Sequence, residues 1–159
     1  MKEYEYSFKV DDIRPYIKYC EEHDYKLIED TKQSRLLYRH ENKTLARITT
    51  KESNGTITKE LDFKDDVLSD EVLIERRESK AISFEDDKAV VSILDFLGYW
   101  KDTLLIRRRI VYKKNNVTFE IDNYESPEKS LVVAIEGIKE EVDKVYNDVR
   151  KYVDNNHEV

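Results

Sequence analysis

The feature that most limits this chain is a two-residue rhythm setting aromatic and aliphatic side chains against charged ones. In the opening segment Tyr4, Tyr6, Phe8 and Val10 alternate with Glu3, Glu5, Ser7 and Lys9. Successive side chains of a strand point to opposite faces, so this segment has one apolar face and one charged face. The rhythm returns later. Arg107 and Arg109 oppose Ile106 and Ile110, Glu120 and Asp122 oppose Phe119 and Ile121, and Glu136 follows Val133 and Ile135. Arg76 shares a face with Glu78, and Asp62 with Lys64.

Strands are expected at about 2–10, 26–40, 43–51, 56–65, 72–82, 103–113, 116–123 and 130–137. Glu41-Asn42, Asn54-Gly55 and Asn115-Asn116 fall between them, and Asn and Gly tolerate the positive φ of tight hairpins. Hairpins imply antiparallel pairing. Eight such strands suit a closed barrel as well as an open sheet or a sandwich; the charged face favours the barrel, as a tunnel lining.

Three stretches carry the helical period instead. Ile13, Tyr16, Ile17 and Cys20 follow Asp11 and Asp12; Ala89, Val90, Ile93, Leu94 and Leu97 follow Ser83 and precede Gly98; Val142, Val145, Tyr146, Val149, Tyr152 and Val153 lie between about 139 and 154. The expected fold is therefore mainly β with flanking helices (α+β), a closed eight-stranded antiparallel β-barrel in a single domain over 1–159.

Charged residues make up 40% of the chain, a density that could mean disorder, but the apolar residues are periodic and argue for a packed core. The net charge of -7 disfavours nucleic acid or an anionic membrane surface as partner. No apolar run is long enough to cross a membrane and the N-terminus is charged, so a cytoplasmic location is expected. Cys20 is the sole cysteine and falls on a helical apolar stripe, which reads as core packing; His23, His40 and His157 are scattered without triad spacing. Neither a P-loop nor a G-x-G-x-x-G is present.

Arginine at alternate positions is the more specific cue, because its planar fork grips phosphate oxygens two-pronged. Carboxylates nearby are what a hard divalent cation requires.

These residues resemble the CYTH superfamily, also called the triphosphate tunnel metalloenzymes, which includes class IV adenylyl cyclases and thiamine triphosphatases. Glu3-Tyr4-Glu5-Tyr6-Ser7-Phe8-Lys9-Val10 resembles its E-x-E-x-K opening, and Arg47 sits where a tunnel arginine follows the second strand. Leu61 to Lys64 resembles L-T-x-K, Arg76-Arg77-Glu78 resembles R-x-E, and Leu97-Gly98-Tyr99 with Arg107-Arg108-Arg109 is similar to the L-G-F/Y turn and K-x-R strand. Val117 to Asp122 resembles the strand ending in an aspartate, and Val132 to Glu136 the F-V-E-I-E strand. Three positions depart from the pattern: Ser7 replaces the motif lysine, Ala134 replaces an acid, and Thr49 stands where a second arginine is often found.

The resemblance implies a phosphate clamp of Lys9, Arg47, Lys64, Arg76, Arg107 and Arg109. It implies Mg2+ or Mn2+ held by Glu3, Glu5 and Glu136, with Glu78, Glu120 and Asp122 in support. The substrate would be a small triphosphate (ATP, thiamine triphosphate or inorganic triphosphate). Hydrolysis is the first expectation and cyclisation of ATP the second. The alternative is a non-catalytic nucleotide or polyphosphate module with a degenerate metal site. A homodimer is left open.

Overall fold

The computed structural model describes residues 2–65 and 73–157. The elements run β1 (Lys2–Val10), α1 (Arg14–Glu22), β2 (Lys26–Arg39), β3 (Thr44–Ser53), β4 (Thr56–Asp65), β5 (Leu73–Arg77), β6 (Ile82–Ser83), α2 (Asp87–Phe96), β7 (Trp100–Lys114), β8 (Val117–Ser126), β9 (Ser130–Gly137) and α3 (Lys139–His157). The strands form one antiparallel sheet in the order β5-β1-β9-β8-β7-β2-β3-β4-β6.

Among the described residues the strand ladder has nine members and is not closed, which corrects the expected eight-stranded barrel. The reason lies in the segment expected as one strand over 72–82, whose first residue falls outside the described residues. Leu73–Arg77 pairs with β1, while Ile82 and Ser83 pair with β4. The two halves of the segment thus pair with opposite edges of the sheet. The segment crosses between them through a single antiparallel bridge of Lys64 with Glu78. Beside that bridge Ser79 N donates to Phe63 O at 2.9 Å, and Phe63 N donates to Ser79 Oγ at 2.8 Å.

Turn chemistry explains the long hairpins. Asn54 and Gly55 have φ of 51° and 80°, the paired positive values of a two-residue primed turn. At the β2–β3 turn the left-handed residue is Lys43, not Asn42. Asn42 acts through its side chain, whose Oδ1 accepts from Thr44 N (3.0 Å) and Thr44 Oγ1 (2.6 Å). α2 begins at Asp86, whose carboxylate accepts from Ala89 N, rather than at Ser83. Gly137 closes β9 at φ 150°, and a Cβ there would collide with the carbonyl oxygen of Asn116.

The outer face of the sheet carries two apolar cores. Under α1 and α3 lie Phe119, Ile121, Val133 and Ile135, all but closed to water, packed with Tyr16, Cys20, Val142 and Val149. Each such side chain contributes about 1.5–3 kcal/mol by burial. Tyrosines suit this seam because the ring is apolar and the hydroxyl is not. Tyr6 stacks on Tyr146 at 4.0 Å and donates to Asp143 at 2.6 Å, and Tyr19 donates to Asp148 at 3.0 Å. The smaller core joins Val90 and Leu94 of α2 to Tyr38, Ala46 and Leu61. With both apolar faces turned to helices, the charged faces of the strands meet one another. No helix among the described residues is long and apolar enough to cross a membrane.

Candidate polyphosphate and metal site

The inner face encloses a cavity of about 410 Å³. Arg35, Arg47, Lys51, Lys64, Arg107 and Arg109 line it, together with Glu5, Glu29, Glu60, Asp62, Glu78, Glu120, Asp122 and Glu136. Among the described residues the lining thus has more acids than cations. Most of these cations are paired with the acids.

At one wall Glu5, Glu120 and Glu136 come from β1, β8 and β9. One carboxylate oxygen from each lies within 4.8 Å of the others. Glu5 is directly opposite Glu136, and Glu136 opposite Thr118, with Glu120 two residues along β8. Three carboxylates this close cannot all be charged without a counterion. Burial, and then Glu120 and Glu5, push the Glu136 carboxyl well above the usual carboxylate range. Burial alone would also raise Glu120, but Arg109 overrides it and keeps that group ionised. Such a set of convergent oxygens fits a hard divalent cation. Glu3 lies one step outward in the register, opposite Arg76, and is half-buried; burial, then Glu78, raise its pKa.

The cations are held in two ways. Arg47 pairs with Asp62 through Nε (2.9 Å) and Nη2 (2.5 Å). Arg109 pairs with Asp122 through Nε and Nη2, both at 2.8 Å, and with Glu120 through Nη1 at 2.6 Å. In both, burial works against the charge and the carboxylates overcome it, so the net pKa is raised. Lys64 meets Glu78 at 3.0 Å, and Glu78 also reaches Arg47 at 3.5 Å.

Arg107 and Arg35 differ. The nearest carboxylate to Arg107 is Asp122, at 3.9 Å. Its close partners are neutral: Gln33 Oε1 (3.0 and 2.9 Å) and Tyr124 OH (2.8 Å). Arg35 donates to Thr49 Oγ1 at 2.9 Å, and among the described residues no carboxylate lies within ion-pair distance of it. Burial, then neighbouring arginines, hold both guanidinium groups below their ordinary range. These are two cations without a close charge partner, which is what an incoming anion requires.

Of the residues expected from sequence, the fold brings Arg47, Lys64, Arg107, Arg109, Glu5, Glu78, Glu120, Asp122 and Glu136 to this cavity. Lys9 is placed elsewhere: its side chain is about three-quarters exposed and lies 3.9 Å from Glu128. The Arg76 side chain lies outside the described residues, although its backbone pairs with Glu3. Sequence reasoning passed over Arg35, Lys51, Glu29, Glu60, Gln33 and Tyr124. The signal was present in β2, where Glu29, Thr31, Gln33, Arg35 and Leu37 occupy alternate positions.

The departures also find partners. Thr49 faces Arg35 directly across the β2–β3 ladder, so a cation reaches that place from the neighbouring strand. Ser7 and Ala134 are cross-strand partners of each other, and Ala134 is in turn opposite Glu120.

No family model and no curated protein sequence matches the chain. Solved structures do. The PH1012 protein from Pyrococcus horikoshii OT3 superposes with a TM-score of 0.70 at 23% identity, over 94% of this chain and 88% of that one. HpAC1 from Hippeastrum, a candidate adenylyl cyclase described as having a dominant triphosphatase activity, gives 0.62 at 12% identity over 94% and 87%. The chain shares the fold of these structures. A chain of the Schizosaccharomyces pombe Mediator head module has a similar shape, with a TM-score of 0.64 at 10% identity and 96% of each chain covered. A shared fold does not fix function, so the site residues must carry the case for activity.

Proposed function

We propose that this chain binds a triphosphate-bearing anion together with one or two Mg2+ or Mn2+ ions in the inner cavity and hydrolyses it. The observation that carries the reading is a complementary imbalance. One wall brings a carboxylate oxygen from each of Glu5, Glu120 and Glu136 within 4.8 Å of the others, and the other holds Arg35 and Arg107, whose close partners among the described residues are neutral. A metal polyphosphate would set its cation against the first wall and its oxygens against the second.

Glu5, Glu120 and Glu136 would hold the cation, which would polarise a phosphoryl oxygen and orient the attacking water. Arg35 and Arg107 would take the oxygens of the polyphosphate, with Arg47 and Lys64 beside them. Arg109 would keep Asp122 and Glu120 in place. Positioning and fixed charge would supply most of the rate, as in other phosphoryl transfers. HpAC1, a candidate cyclase of this fold, is described by a dominant triphosphatase activity, so hydrolysis is placed ahead of cyclisation.

The second reading, a non-catalytic binding module, draws on Ser7 and Ala134, whose joint loss thins the wall next to Glu120. Phosphate release from inorganic triphosphate and ATP, with and without Mn2+, decides between them beside calorimetric binding. Metal-dependent release is expected. Binding without release selects the module, and no binding of either compound refutes both.

A further inference from the structure

Arg107 is gripped through the same two nitrogens as Arg47 and Arg109, but by the single oxygen of an amide. Its Nε and Nη2 donate to Gln33 Oε1 at 3.0 and 2.9 Å, while Arg47 and Arg109 give the corresponding pair to Asp62 and Asp122. Gln33 is 3% exposed and does not line the cavity. Its orientation is fixed from behind. The amide nitrogen donates to Glu29 Oε2 at 2.7 Å and to Thr31 Oγ1 at 3.0 Å, and Lys51 Nζ donates to Glu29 Oε1 at 3.0 Å. Both amide hydrogens are thus taken, so the oxygen must face Arg107. A carboxylate in that place would hold the fork equally well and would cancel its charge. An amide holds it and cancels nothing.

We propose that Gln33 is a positioning residue that fixes the Arg107 guanidinium toward the cavity while leaving its positive charge for an incoming polyphosphate. The proposal rests on the anion-binding reading above. The arginines then divide by role. Arg109, held on carboxylates, maintains the acidic wall, and Arg107, held on an amide, recognises the ligand. The negative charge that β2 does contribute, Glu29, is kept one hydrogen bond further back, against Lys51.

The exchange Glu29→Gln/Gln33→Glu tests this. It conserves net charge and the chain of hydrogen bonds, and moves one negative charge from beside Lys51 to beside Arg107. Binding of inorganic triphosphate at saturating Mg2+ is measured by calorimetry, with Tm from thermal unfolding, in wild-type and Arg107→Gln backgrounds. The exchange should bind at least about tenfold more weakly, a difference of about 1.4 kcal/mol, with Tm no lower than wild type. In the Arg107→Gln background it should change affinity by less than about twofold, because its target is gone. A merely structural Gln33 would lose Tm and affinity together, equally in both backgrounds. Should the exchange unfold, Gln33→Glu alone serves, with weaker binding expected again. Unchanged affinity in these variants overturns the role of Gln33 and leaves the anion site standing. A wild-type chain that does not bind triphosphate overturns both.

Discussion

On the outer face of β8, Phe119 and Ile121 are closed to water beneath α1 and α3; on its inner face, Glu120 and Asp122 are nearly as withdrawn and hold Arg109. The two faces share every backbone atom and differ in what burial does to them. Apolar groups gain from leaving water whatever they meet. Charged groups lose unless a partner is supplied, so each buried charge either has a partner in the chain or marks where one must come from outside. The outer face should therefore govern stability and the inner face binding.

The outer face gives the largest effect. Phe119→Ala should cost about 3–5 kcal/mol in urea unfolding, the usual range for emptying a fully buried aromatic site. A loss below about 1 kcal/mol would mean that the ion pairs inside, and not the packing outside, hold the sheet together.

Arg35→Met gives the next effect and should separate the two faces. It replaces a partly buried cation that has no acid partner among the described residues with an apolar chain of similar length, so stability should be unchanged or raised. Triphosphate binding should weaken by about 1.5–3 kcal/mol, the value of a hydrogen bond to a charged group. If Arg35→Met destabilises the chain and binds normally, the arginine belongs to the scaffold.

The same contrast decides what the sequence could show. Period-two alternation located all the long strands, because a residue's face follows from backbone geometry alone. It also separated charged from apolar faces in β1, β7, β8 and β9. Ladder closure was not legible, since 72–82 reads as one strand and nothing in its composition says that it divides between β1 and β4. Nor was the sorting of the arginines. Arg107 and Arg109 are two residues apart on one face of one strand, yet one faces Gln33 and the other Asp122 and Glu120. Those partners lie on β2 and β8, and only the register of β7 against each strand reveals them. Lys9 shares a strand face with Glu5 but extends past the cavity, because alternation fixes a side and not a depth.

Restoring the Ser7 and Ala134 departures should have a smaller effect. Because the two are cross-strand partners, Ser7→Lys with Ala134→Glu places an opposite-charge pair across one rung, next to Glu120. Metal-dependent phosphate release should rise about tenfold, equivalent to about 1.4 kcal/mol of barrier. The double variant should exceed the product of the singles, because each single change adds an unpaired charge to a crowded wall. A double variant no faster than wild type would show that Glu5, Glu120 and Glu136 suffice.

Arg108→Gln should have the smallest effect, although Arg108 lies between the two inward arginines of β7. Alternation turns it outward, where Nε and Nη2 donate to Asp30 at 2.9 and 2.8 Å. About half of the Arg108 side chain and two-fifths of the Asp30 side chain remain in solvent, so the pair is worth less than about 1 kcal/mol despite its two-pronged geometry. The hydrogen bond from Arg108 is the main cause holding the Asp30 carboxyl below its ordinary range, with burial opposing it and the charge of Arg108 assisting. A depressed folded-state pKa means that the unfolded chain binds the proton more readily. The stabilisation is therefore complete above the unfolded Asp pKa, near 3.9, and is lost as pH falls through the lower folded value. Wild type and Arg108→Gln should differ in urea unfolding at pH 7 and converge in the acid range, and triphosphate affinity should be the same at pH 7. An affinity loss like that of Arg35→Met would mean that the electrostatic field of the whole strand attracts the anion, and the division between inner and outer face would no longer describe binding.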